Sequence, residues 1–137
     1  MTTNSEKTSK KLKIQSGSKW EDVVGYSRVV RAGNIIEVAG TTATDEEGNV
    51  IGIGDPYKQT RFIFEKIEKF LLKAGASLED IVRTRMYVTD IDQWQEIGRA
   101  HGEFLREIKP VASMVEVSKL ISPDLLVEIE VTAIIPE

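Results

Sequence analysis

Two stretches of this chain alternate, residue by residue, between chemically distinct sets. Over residues 81–89, Val82, Thr84, Met86 and Val88 interleave with Ile81, Arg83, Arg85, Tyr87 and Thr89. Over residues 127–133, Val127, Ile129, Val131 and Ala133 interleave with Glu128, Glu130 and Thr132. A period of two fits only a strand, whose successive side chains point to opposite faces of a sheet. Each stretch therefore offers one apolar face and one face of arginine, tyrosine and carboxylate. The fold must cover the first and accommodate the second.

Two segments with helical spacing supply the cover. Asp55 and Pro56 form a start signal, a capping carboxylate followed by a first-turn proline. Ile63, Ile67, Phe70, Leu71 and Ala74 then recur at helical intervals up to a stop at Gly75. A second helix is predicted from Asp90 or Asp92, with Trp94, Ile97, His101, Phe104, Leu105 and Ile108 on one stripe and Pro110 at its end. Further strands are predicted at 26–31 and 35–40, joined by the turn Ala32-Gly33-Asn34, and over the run 111–120. Ile36 and Val38 share one face of the second strand, and Glu37 and Ala39 share the other. The order predicts an α+β domain: a single mixed sheet of five to six strands with two helices packed on one face.

The apolar sets belong beneath the helices. The opposite face then gathers Glu37, Arg83, Arg85, Tyr87, Glu128 and Glu130. From the run 111–120 it is expected to take Ala112, Met114 and Glu116, leaving Val111, Val115 and Val117 for the helices. Such a face is either a solvated sheet with cross-strand ion pairs, each worth roughly 0.2–1 kcal/mol, or a subunit interface enclosing a cleft.

With 137 residues, 41% of them hydrophobic, the chain suits one domain. Residues 1–16 are expected to be a disordered basic tail and 17–137 the folded domain. Residues 1–19 hold five lysines against one glutamate, so a chain of net charge −4 carries −8 over the remainder. An acidic globular part argues against a nucleic-acid surface. No apolar run reaches the roughly 18 residues of a membrane span. Without cysteine there is no disulfide or thiolate site, and one histidine excludes a multi-histidine metal centre. No metal or cofactor is expected, and the expected location is cytoplasmic.

Several ordered segments bear a further resemblance. Pro110-Val111-Ala112-Ser113-Met114-Val115 and the later Glu128-Ile129-Glu130 are similar to the YjgF/Rid family's Pro-Ala-Arg-Ser-x-Val motif and its strand ending Glu-Ile-Glu. Gly25-Tyr26-Ser27 resembles the family's Gly-Pro-Tyr-Ser, and Val38-Ala39-Gly40-Thr41 its Val-Ser-Gly-Gln. Residues 74–90 resemble its Ala-Gly…Asp-Val-Val…Phe-Val…Asp segment. The resemblance spans about residues 17–135. It implies a chorismate-mutase-like fold, a homotrimer with sheets facing inward, and clefts at the subunit interfaces that bind a small carboxylate metabolite. Its best-studied members hydrolyse enamines and imines of amino acids.

Residue by residue, the resemblance makes Glu128 the carboxylate that positions water, and Tyr26 a residue lining the cleft. Ala112 stands where the family has the arginine that forks onto the substrate carboxylate. Ala39 replaces a serine, and Met114 makes the cleft floor more apolar. Little or no turnover of 2-iminopropanoate or 2-aminoacrylate is therefore expected. Arg85 or Arg83, beside Tyr87, could return the missing positive charge from a neighbouring strand, or could instead pair with Glu128 or Glu130. Three functions stay open: an altered hydrolytic deaminase, a non-catalytic ligand-binding or protein-interaction trimer, and an endoribonuclease-like activity, which the acidic charge disfavours. His101 reads as a packed core histidine. Asp45, Glu46 and Glu47 read as a solvated turn, without EF-hand spacing.

Overall fold

The structure, a computed structural model, describes residues 11–136. The first strand, β1 (Lys11–Ile14), is followed by a short helix, α1 (Lys19–Val24), and by β2 (Val29–Ala32) and β3 (Ile35–Thr41). Then come α2 (Pro56–Lys73), β4 (Ile81–Val88), α3 (Trp94–Leu105), β5 (Val111–Glu116) and β6 (Val127–Ile134). The six strands form one sheet in the order β1-β2-β3-β6-β4-β5. Pairing is antiparallel except between β4 and β5, which run parallel on either side of α3. This is the expected α+β sheet, with the two long helices on one face.

Strand β6 lies between β3 and β4 and shows why the sheet is two-sided. Val127, Ile129, Val131 and Ala133 are fully buried on the helix side, while Glu128, Glu130 and Thr132 are half-buried on the other. Ile63, Phe64, Ile67 and Leu71 of α2 and Ile97 and Leu105 of α3 close over the apolar set. Helix α2 begins as its sequence indicates: Asp55 accepts from the Lys58 amide at 3.0 Å, with Pro56 in the first turn. It stops before Gly75, whose φ of 86° is left-handed.

Several expectations need correction. The tail was expected to run through residue 16, yet residues 11–14 form an edge strand on β2; residues 1–10 lie outside the described residues. The reason is a short alternation, since Ile14 packs against the core while the lysines face outward. Helix α1 was not foreseen. At six residues it is too short to show a period, and it rests on local capping by Ser18 and the left-handed Gly25. Trp94, read as core, is 55% exposed because it is the first residue of α3. The alternation of β4 also breaks at one end. Pairing steps from Ile81↔Ala133 to Arg83↔Thr132, so Val82 is an extra, bulged residue. Ile81 is thereby buried beneath the helices and Val82 is 40% exposed.

His101 is a core residue, as expected. Its Nε2 lies 2.9 Å from the Thr84 hydroxyl, and its ring meets Phe64 edge-on at 5.5 Å. Burial lowers its pKa from the ordinary 6.5. The contribution of His101 to stability is therefore complete above pH 6.5, falls as pH drops below that value, and levels off beneath the folded pKa. Urea unfolding of His101→Gln between pH 7.5 and 4.5 should show a shallower loss of stability than the parent; equal slopes would contradict this account.

Candidate functional site

The open face of the sheet carries a cleft of about 350 Å³ over β2, β3 and the middle of the sheet. Tyr26, Ser27, Glu37, Ala39, Arg85 and Glu130 are among the residues lining it. Three residues singled out from sequence, Tyr26, Ala39 and Arg85, thus meet in one place. Arg85 sits directly opposite Glu130 in the antiparallel register of β4 and β6. Tyr87 donates its hydroxyl to Glu130 Oε1 at 2.8 Å, which, with burial second, raises the tyrosine's pKa. Arg83 shares the face but not the cleft lining; it lies further along β4, opposite Thr132.

Glu128 stands next to this cleft at an irregularity in the sheet. The register of β3 with β6 shifts between Val38 and Thr41, leaving Ala39 and Gly40 as a bulge opposite Glu130, with the Glu128 side chain reaching back against Gly40. A side chain cannot fit at Gly40 without displacing that carboxylate: an added Cβ would stand 2.9 Å from Glu128 Cδ and closer still to Oε2. Burial raises the Glu128 pKa, the nearby Glu130 raises it further, and Arg28 opposes both. Among the described residues, the ion pairs involve only Arg61, Arg99, Glu96 and Glu103, so the Glu128 carboxylate is not held by a cation.

Two cations at this end of the sheet were missed by the sequence reading. Arg28 is only 8% exposed, donates Nη2 to the Gly40 carbonyl at 2.7 Å, and places its guanidinium 5.7 Å from the centroid of the Tyr26 ring. Its Nε has no hydrogen-bond partner among the described residues. Lys66 of α2 donates to the carbonyls of Thr42 and Thr44 at 2.7 and 2.9 Å, pinning the segment after β3. Burial, aided by repulsion from Arg28 and opposed by Asp45, lowers its pKa to about 8. A signal for Arg28 was available, because Tyr26, Arg28 and Val30 alternate into the same face. For Lys66, on a helix rich in lysine, there was none.

Ala112 and Met114 correct the expected placement. In the parallel register Thr84 pairs with Ala112 and Met86 with Met114, so both residues lie on the helix side of β5, and Met114 packs against the core. Val111, Ser113 and Val115 take the open face beside Arg83, Arg85 and Tyr87, with Val111 57% and Val115 48% exposed. Glu116 is also on the helix side and accepts the Ile91 amide at 3.0 Å. The segment reads Val-Ala-Ser-Met-Val-Glu, with apolar residues in both alternating sets, so the pattern could not choose a face. Strand β5 is separated from β3 by β6 and β4, or about 14 Å at ordinary strand spacing. Within one chain, position 112 and the Tyr26 cleft therefore do not meet.

Comparison with known proteins agrees with this architecture. Residues 16–135 match the family model described as Endoribonuclease L-PSP. A crystal structure of a YjgF/YER057c/UK114 family member from Mycobacterium tuberculosis superposes with a TM-score of 0.83 at 48% identity, covering 91% of this chain and 99% of that one. A 3-aminoacrylate deaminase, RutC, from Acinetobacter baylyi is 34% identical over 76% of this chain and 82% of its own length. The E. coli protein TdcF, crystallised with bound serine, superposes with a TM-score of 0.74 at 25% identity, covering 81% of this chain and 88% of that one. On its sequence and fold, this chain belongs to the YjgF/Rid family.

Proposed function

We propose that the protein is a homotrimer that binds a small carboxylate metabolite in clefts between its subunits and hydrolyses an enamine- or imine-type bond there. The observation that carries this reading is Glu128. It is a half-buried carboxyl with a raised pKa, in no ion pair among the described residues, against a bulge where Gly40 leaves it room beside the Tyr26 cleft. A carboxyl lifted toward neutrality can both accept and return a proton. An enamine first takes a proton on carbon and gives one up from nitrogen to become the imine; water adding to the C=N carbon then gives up a proton to Glu128, which passes it to nitrogen. Collapse of the resulting carbinolamine expels ammonia and leaves a carbonyl compound.

The separation of β5 from the Tyr26 cleft is consistent with assembly, since another copy could bring its edge strand against that cleft. The similarity to RutC supports an enamine with its amino group at carbon 3, and the alanine at position 112 supports weak use of 2-aminoacrylate and 2-iminopropanoate. The fold alone is also compatible with a trimer that binds ligand and performs no chemistry, and the loss of polar side chains at Ala39 and Ala112 favours that second reading. The acidic globular part continues to weigh against an endoribonuclease. We place the protein in the cytoplasm on the same reading.

Native mass spectrometry should show a species of three chains; a monomer throughout would remove the interface clefts and the proposal with them. Ammonia release should be measured from 3-aminoacrylate and from 2-aminoacrylate, with turnover expected mainly on the first. Glu128→Gln should reduce kcat/KM by roughly 10²-fold or more. Because the folded Glu128 pKa is raised, charging it costs stability as pH rises from 4.5 through the folded value. The glutamine variant should therefore be at least as stable as the parent at neutral pH, separating lost chemistry from lost folding. Gly40→Ala should likewise abolish most activity while changing stability by only about 1 kcal/mol, since the obstructing atoms belong to a movable side chain. Full activity in either variant, in a protein that does release ammonia, would remove Glu128 from the reaction.

A further inference from the structure

We propose that Arg28 holds the carboxylate of the ligand, taking over from β2's leading segment the task that position 112 cannot perform. This deepens the reading of the cleft as a small-carboxylate site and does not depend on any hydrolysis.

A guanidinium taken out of water has to be compensated by hydrogen bonds or an opposite charge. Arg28 is more than nine-tenths buried, yet of the five N–H donors a guanidinium carries it uses one among the described residues, on the Gly40 carbonyl. Its Nε is buried with no partner among the described residues, and no carboxylate there forms an ion pair with it. Glu21 and Glu128 are near enough to act on it through space, but Glu21 is already engaged by the Ser16 amide and hydroxyl. A guanidinium with spare donors beside a cleft suits a planar anion, since a carboxylate accepts two parallel N–H bonds from one guanidinium.

The position is right for this. Tyr26, over whose ring the guanidinium lies, lines the cleft, and so does Ala39, whose amide donates to the Arg28 carbonyl at 3.0 Å. Gly40 is shared by both charged groups: its carbonyl holds Arg28, and its missing side chain makes room for Glu128. A ligand carboxylate on Arg28 would therefore lie at the same bulge as Glu128. Lys66, close enough for its own charge to be disfavoured by Arg28, adds to the positive field at this end. Two other arginines share this face. Arg85 lines the cleft opposite Glu130, with no ion pair to it among the described residues, and is the competing anchor; Arg83, like Arg28 itself, is not among the lining residues.

Binding can be measured with pyruvate as the carboxylate probe and pyruvamide as its uncharged counterpart, by calorimetry on the full chain. Arg28→Gln should weaken pyruvate binding by roughly tenfold or more, the value of a charged hydrogen bond, and leave pyruvamide unchanged. Arg28→Lys should recover part of the loss, and Arg85→Gln should cost much less. If Arg28→Gln fails to fold, the Nε–H resonance of Arg28 in the unmodified protein, followed by NMR, carries the test. It should shift with pyruvate and stay still with pyruvamide. The inference is overturned if pyruvate does not bind, if that resonance does not move, or if Arg85→Gln takes the larger loss. Ammonia release measured in parallel separates the two proposals: binding through Arg28 without ammonia would sink the hydrolytic reading alone, and turnover with an unchanged KM in Arg28→Gln would sink this one alone.

Discussion

Strand β6 is the constraint on which the rest of the molecule depends. It pairs on both sides, with β3 and with β4, and its alternation sets which side of the whole sheet is dry. Four side chains of this strand are fully buried beneath the helices. At about 1.5–3 kcal/mol for each fully buried aliphatic side chain the size of valine or isoleucine, a slip of one residue would forfeit that burial and place Glu128 and Glu130 in the core instead. No arrangement of α2 and α3 could rescue such a register. The same strict alternation that protects the fold also fixes two carboxylates on the opposite face, where chemistry becomes available.

The two departures from regular pairing act in different ways. At the start of β4, the bulge at Val82 turns Ile81 inward and lets the strand begin packed against the core. In β3, the shift between Val38 and Thr41 falls opposite Glu130 and sets Gly40, which has no side chain, against the Glu128 carboxylate. The site is assembled at an interruption of the sheet and not along its regular middle. Any side chain at position 40 would put a Cβ where the carboxylate now lies.

Much of the fold was legible because its signals are long and redundant: two amphipathic helices and two strictly alternating strands leave little freedom. The residues of the site were legible only in part. Tyr26, Ala39 and Arg85 lie together because period-two reasoning works for strands with one apolar set. It failed for Ala112 and Met114, since β5 is apolar on both sets and its face is decided by pairing with β4. It failed also for residues 11–14, where four residues inside a lysine-rich segment carry too weak a pattern to be separated from the tail. Arg28 was within reach of the same logic, but its burial and its missing partner are three-dimensional properties that no spacing encodes.

The two edges of the sheet differ in a way that bears on how copies of this chain can meet. An edge strand offers unpaired backbone groups to any other strand, and charged residues, lysine especially, discourage that addition. β1 has Lys11 and Lys13 on such an edge, both exposed. β5 forms the other edge without a lysine and with Val111 and Val115 turned to the open face. Among the described residues the sheet is thus guarded at one margin and bare at the other, so its growth by indiscriminate strand addition is opposed on one side while a specific neighbour is left one apolar margin to recognise.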